Sequence, residues 1–134
     1  MVIVMGKVVE KVKFTNVFKP EKSIEIEALI DTGATMASLP IDIVENLGLI
    51  EIDRRRVRYA DNRVELKPVY GVVTIEIKGR IGNFDVIGEV KGSQPLIGQV
   101  VLETLDLLVD PTTRKVIANP RSPDIPMIEQ LRQS

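Results

Sequence analysis

Ala28-Leu29-Ile30-Asp31-Thr32-Gly33-Ala34-Thr35 delivers one aspartate from an apolar run into a tight Thr-Gly turn. An ion placed among apolar side chains without partners costs several kcal/mol. A chain that needed only a turn can use Asn-Gly or Asp-Gly and leave the carboxylate in water. Here Ile30 precedes the aspartate, and apolar character resumes at Ala37 and Leu39. The arrangement predicts a carboxyl group held at the floor of a cleft.

A second stretch has the same texture. Leu96-Ile97-Gly98 places an apolar pair before a glycine, and Val100-Val101-Leu102-Glu103-Thr104-Leu105 continues it as a helix-compatible run. Together the two stretches resemble the active-site loop and the hydrophobic-hydrophobic-glycine segment of aspartic proteases. The kind they resemble is the single-domain retropepsin-like one, related to retroviral proteases. Order and separation match, and the resemblance covers roughly residues 8–118. Asp-Thr-Gly alone is a short motif; the apolar block before it and the second motif after it are what give the resemblance weight.

The resemblance implies an all-β fold, a closed retropepsin-like acid-protease barrel with one or two short helices. It makes Asp31 the catalytic residue, with Thr32, Gly33 and Ala34 supporting the active-site loop. In the family the threonine hydroxyl locks two such loops by hydrogen bonds across a two-fold axis, and the glycine offers backbone to the substrate. Carboxylate-driven peptide hydrolysis needs two acids that share a proton, because like charges about 3 Å apart cannot both ionise. This chain has one Asp-Thr-Gly, at Asp31 to Gly33, so the second aspartate is expected from another copy. A homodimer through the active-site axis and a protein or peptide substrate follow from the resemblance. The rival reading is a non-catalytic dimeric module that binds peptides or supports assembly on the same fold.

Residues 55–67 read as a hairpin, with Val57 and Tyr59 on one arm, Asp61-Asn62 at the tip, and Val64 and Leu66 on the other. Asp and Asn tolerate the left-handed backbone of a tight hairpin. By resemblance this is the flap, its tip being Tyr59, Ala60, Asp61, Asn62 and Arg63. Retroviral flap tips are glycine-rich, whereas this one is charged and has no glycine. A second departure concerns a charged pair. Retroviral members carry Asp two positions after the motif glycine and Arg directly after the second glycine. Thr35 and Gln99 stand there instead, so both charges are absent together and no ion is orphaned.

Composition narrows the chemistry further. The 134 residues suit one domain. We divide them into a protease domain over 1–118 and a tail over 119–134, which carries Pro120, Pro123 and Pro126. Net charge is −1, from 18 basic and 19 acidic residues, which makes no general case for nucleic acid or membrane binding. The run Arg54-Arg55-Arg56 with Arg58 reads as a solvated face. Without cysteine or histidine the chain has no disulfides, thiol nucleophiles, Ser-His-Asp triads or ordinary zinc sites. No acidic spacing resembles an oxygen-ligand metal loop, so no metal or cofactor is expected. The apolar run Met1–Met5 is too short for a signal core or a membrane span, which makes a cytoplasmic location the expectation.

Alternation organises the rest. Val12 and Phe14, then Ile24, Ile26 and Ala28, predict two strands joined by a turn over Pro20 to Ser23. Pro40 opens a short helix with Ile43, Val44 and Leu47 inward, and Gly48 stops it. Val72–Ile77 and Ile81–Val90 make strands around Lys78-Gly79. Leu107–Asp110 and Lys115–Ala118 make a final hairpin in which Asp110 caps the turn. Asp85 is expected to face solvent. With Pro120, Pro123 and Pro126 the tail 119–134 is expected to be extended or loose, with Met127 to Leu131 able to dock as one helical turn.

Overall fold

The structure is a computed structural model that describes residues 7–132. The Met1–Met5 run lies outside the described residues. Among the described residues there are nine strands and two helices: β1 (Val9–Asn16), β2 (Lys19–Ile30), β3 (Ala37–Pro40), α1 (Ile41–Asn46), β4 (Ile50–Arg58), β5 (Val64–Ile77), β6 (Arg80–Glu89), β7 (Leu96–Ile97), α2 (Gln99–Leu105), β8 (Leu107–Val109) and β9 (Val116–Ala118).

Seven strands form one sheet in the order β1-β2-β7-β3-β6-β5-β4. β1 also pairs with β5, through Lys13↔Glu76 to Asn16↔Val73, so the sheet curls into a ring and β4 hangs from it. This is the all-β, barrel-like class that the alternation implied. The inward positions follow period 2: Val12 and Phe14 on β1, Ala28 and Ile30 on β2, Val73, Ile75 and Ile77 on β5 are all buried in one core. α2 closes one side of that core with Val101, Leu102 and Leu105. α1 contributes Val44, and Pro40 stands at its N-cap. Gly48 takes positive φ just past it, as a helix stop requires.

Two expectations need correction. Pro20 to Ser23 is not the first turn. Those residues lie within β2, and the reversal comes at Val17 and Phe18. The side chain of buried Asn16 decides this. Its Oδ1 accepts from the N–H groups of Phe18 (2.9 Å) and Lys19 (3.2 Å), while its Nδ2 donates to Leu47 O (2.8 Å) and Gly48 O (3.2 Å). The ladder shifts from Thr15↔Ser23 to Asn16↔Lys19, so Pro20 sits in a bulge where no ladder donor is needed.

The second correction is at the tail. Residues 119–132 hold neither helix nor strand, in keeping with the extended tail its prolines implied, and Met127 to Leu131 does not form the helical turn. The Met127 N–H, which a helix start would leave open, is taken by the Asp106 carboxylate at 3.0 Å. Asp106 also accepts from Asn119 Nδ2 (2.9 Å) and from the Ser122 hydroxyl. Buried Arg80 donates to the carbonyls of Leu105, Asp106 and Ser122, tying the end of α2 to the tail.

The remaining local expectations fit with longer elements. The 55–67 hairpin has arms that start earlier and end later, because β5 runs unbroken from Val64 through Ile77 with a register shift between Tyr70 and Val73. β8 and β9 pair as the final hairpin, and Asp110 caps its turn by accepting from Thr112 N at 2.9 Å. Asp85 is exposed. Arg54 and Arg55 lie exposed on β4, paired with Glu51 and Asp53. No helix among the described residues is long and apolar enough to cross a membrane.

Candidate active site

The two sequence motifs meet in space. β2 and β7 run parallel with Leu29↔Leu96 and Ile30↔Ile97 in register. One step further, Asp31 N–H donates to Ile97 O at 2.9 Å. The loop then folds over the second motif: Gln99 N–H donates to Ala34 O (2.7 Å) and Val100 N–H to Thr35 O (2.9 Å). Gly98 lies under this crossing. A Cβ there would come within 2.6 Å of Met36 O and 2.8 Å of Ala34 O, so the loop can only lie this close over glycine. Thr35 and Gln99 are thus joined to the crossing by backbone bonds. The Gln99 amide turns away to Glu103 at 3.2 Å.

Asp31 is fixed from both ends of its own turn. Its Oδ1 accepts from Gly33 N–H at 2.9 Å, and its carbonyl accepts from Ala34 N–H at 3.2 Å. In the single chain Asp31 is half-buried and Thr32 and Gly33 are exposed. The carboxylate is therefore presented at the surface of one chain, which does not enclose it.

Strand register shows what shares this surface. Cross-strand partners lie on one face of a sheet. The chain of partners Leu29↔Leu96, Leu96↔Ser38, Ser38↔Ile87 and Ile87↔Val69 runs from β2 to β5 on one face. The alternate positions Ile30, Ile97, Ala37 and Val86 point into the main core. Leu29, Ser38 and Leu96 are only half-buried, and Val69 and Ile87 are buried apart from the main core. Asp31, two residues beyond Leu29, continues this non-core face. So do Glu89, two beyond Ile87, and Lys67, two before Val69. The face is a shallow apolar floor with Asp31 at one end and the β4–β5 hairpin at the other.

The hairpin tip comprises Tyr59, Ala60, Asp61, Asn62 and Arg63. Tyr59 N–H donates to Arg63 O and Asn62 N–H to Tyr59 O, both at 2.9 Å. Asn62 takes φ of 67°, the left-handed turn that asparagine tolerates in place of glycine. Asp61 Oδ1 accepts from Arg63 N–H at 3.0 Å, and the Arg63 guanidinium lies 4.6 Å from the Tyr59 ring centre. Sequence reasoning missed Glu89 and Lys67. Glu89 accepts from the Tyr59 hydroxyl at 2.7 Å and pairs with Lys67 at 3.0 Å. Burial, then the Glu89 hydrogen bond, pushes the Tyr59 phenol well above its ordinary value. No local signal marks Glu89, which lies thirty residues from Tyr59.

Comparison with known proteins agrees with this geometry. A family model described as aspartyl protease matches residues 21–101, which contain both motifs and the hairpin. Among solved structures the chain is similar to EIAV protease in complex with the inhibitor HBY-793. The match has a TM-score of 0.56 at 15% identity and covers 77% of this chain and 91% of that one. At that identity the likeness concerns the fold. No curated relative matches the chain.

Proposed function

The chain belongs to the aspartyl protease family, and we propose that it is an aspartic endopeptidase that works as a homodimer. The observation that carries this reading is Asp31 itself. One chain holds its carboxylate rigidly by Gly33 N–H and half-exposed, at the end of an apolar floor. A second copy, meeting the first on a two-fold axis at the Asp31 loops, supplies the other acid in an isologous contact.

The chemistry follows from two facing carboxyl groups with one proton between them. The ionised one takes a proton from a water molecule as that water attacks the scissile carbonyl. The protonated one donates to the carbonyl oxygen and stabilises the developing charge. Collapse of the tetrahedral intermediate passes a proton to the leaving amine and restores the shared proton. Thr32 braces the paired loops, and Gly33 and Ala34 present backbone to an extended substrate. The hairpin tips, residues 59–63, cover the substrate and exclude water. Leu96, Ile97 and Gly98 hold the loop from below. On this reading residues 1–118 are the protease unit and 119–134 a tail, and no metal or cofactor takes part.

Replacing Asp31 by Asn tests the proposal. The amide keeps the Gly33 contact and the size but cannot exchange the proton. Cleavage of an unfolded protein substrate at pH 4–6, roughly where a shared proton persists, is expected to vanish while the circular dichroism spectrum stays unchanged. Undiminished cleavage by the variant would remove the assignment. The tethered, glycine-free tip favours a second reading, a dimeric peptide-binding module. That reading expects the wild-type protein to bind extended peptides and leave them intact.

A further inference from the structure

The β4–β5 hairpin outruns its support. β6 pairs with β5 only as far as Val69↔Ile87, whereas β4 and β5 continue together to Arg58↔Val64. Beyond Val69, toward the tip, the hairpin pairs with no strand on the β6 side among the described residues, and β4 is the last strand of the sheet on the other side. A two-stranded ribbon without a third strand is marginal in water. Something other than the ladder must set its position.

Glu89, the last residue of β6, reaches across this gap. One carboxylate oxygen accepts from the Tyr59 hydroxyl at 2.7 Å, at the end of the β4 arm. The other pairs with Lys67 Nζ at 3.0 Å, on the β5 arm. The Lys67 and Glu89 side chains are only 14% and 18% exposed, unlike the other ion pairs of the hairpin, Arg54–Glu51, Arg55–Asp53 and Arg63–Glu65, which are well solvated. Shielding from water strengthens both contacts, and a hydrogen bond to an ionised acceptor is stronger than a neutral one. Arg63 stacks on the Tyr59 ring from the other side of the turn.

We propose that Glu89 is a positioning residue that latches both arms of the overhanging hairpin, through Tyr59 and Lys67, to the wall of the cleft. Its function as a latch over a catalytic cleft rests on the protease reading; its effect on hairpin order does not. The latch takes the place of a third strand where the ladder stops. It orders the ribbon from the point where β6 ends out to the Asp61-Asn62 tip, so that without it the arms and the tip bonds of Asn62 and Arg63 fray together. Opening then means releasing Glu89.

The test is hydrogen exchange on the full chain, comparing wild type with Tyr59→Phe, Glu89→Gln and the double variant. Tyr59→Phe removes one hydroxyl and keeps the ring, so it retains the Arg63 contact and the fold. The amides of Asn62 and Arg63 are expected to exchange about tenfold faster in Tyr59→Phe and at least as fast in Glu89→Gln. The double variant is expected to fall short of the product of the two single effects, because both changes act on the one Tyr59–Glu89 contact, which Gln keeps only as a weaker, neutral hydrogen bond. Amides of residues 24–30 serve as the unchanged reference. Tip exchange within about twofold of wild type in both single variants, or effects that simply multiply in the double, would overturn the latch. Peptide cleavage adds an independent arm. Tyr59→Phe is expected to raise KM several-fold with little change in kcat, the mark of lost positioning. A fall in kcat at constant KM would instead assign Tyr59 to the chemical step and overturn its positioning role. Wild-type protein that cleaves nothing would sink the protease reading while the exchange data still decide the latch.

Discussion

Asp31 donates its backbone N–H to the carbonyl of Ile97 at 2.9 Å, and this bond joins the two motifs that lie sixty-six residues apart. The join seats on the second motif the turn in which Gly33 N–H holds the Asp31 carboxylate. Gly98 makes it possible by letting Ala34 O and Met36 O pass where a side chain would stand.

Gly98→Ala is therefore expected to destabilise the fold by about 3 kcal/mol, since the added methyl meets backbone and no flexible side chain can yield. For a chain of this size the loss corresponds to a drop in Tm on the order of 10 °C. Thermal unfolding followed by circular dichroism measures it. A variant melting alongside wild type would mean the crossing relaxes freely and does not fix the loop.

If two Asp31 loops meet on an axis, the protein sediments at about twice 14.9 kDa at micromolar concentration. At neutral pH two facing carboxylates repel, and Asp31→Asn removes that repulsion. The variant dimer is expected to be tighter than wild type at pH 7, with the difference shrinking in acid as a shared proton relieves the wild type. Dissociation constants of both proteins at the two pH values decide the matter. Equal or weaker association of the variant at pH 7 would mean the aspartates do not face each other.

Asn16 makes the first turn and also holds the end of α1. Asn16→Ala loses both roles and is expected to cost about 2 kcal/mol, because the buried Leu47 carbonyl keeps no side-chain donor. Asn16→Asp is the sharper probe. It retains an acceptor for Phe18 and Lys19 N–H but points a carboxylate at two carbonyl oxygens, so it is expected to be at least as damaging. Urea unfolding midpoints report both. Wild-type stability in Asn16→Asp would assign the burial of Asn16 to packing alone.

Asp106 organises the tail, and hydrogen bonds from Ser122, Met127 and Asn119 hold its carboxyl below the ordinary value of 3.8. A depressed acid pKa in the folded state stabilises it fully above the ordinary value, and the contribution fades as pH falls through the depressed one. The Met127 and Ser122 amides are thus expected to lose protection below pH ~4, ahead of global unfolding. In Asp106→Asn they are expected to be loose already at pH 6. Hydrogen exchange corrected for intrinsic rates distinguishes this from a tail that stays docked in acid, which would remove Asp106 as its anchor.

The sequence by itself determined what depends on neighbours along the chain. Period-2 alternation assigned Val12, Phe14, Ile26 and Ala28 to strands, because the pleat puts every second side chain on one face. Asp31-Thr32-Gly33 and Leu96-Ile97-Gly98 were legible as two motifs because each sets an apolar run against a glycine, and the structure adds that they lie side by side, with Leu29↔Leu96 and Ile30↔Ile97 in register. Asp61-Asn62 announced the hairpin tip because both residues tolerate the left-handed backbone of a tight hairpin. The tertiary structure decided the rest, where a residue's role is set by groups far away in sequence. Pro20 looked like a turn, but Asn16 moved the turn upstream by bonding to Leu47, which no local pattern announces. Met127 looked free to start a helical turn, but Asp106 claimed its N–H across twenty-one residues. Glu89 was not singled out by any pattern in the sequence. Only the point at which β6 stops pairing puts its carboxylate between Tyr59 and Lys67, where low solvent exposure makes those contacts strong enough to hold a hairpin.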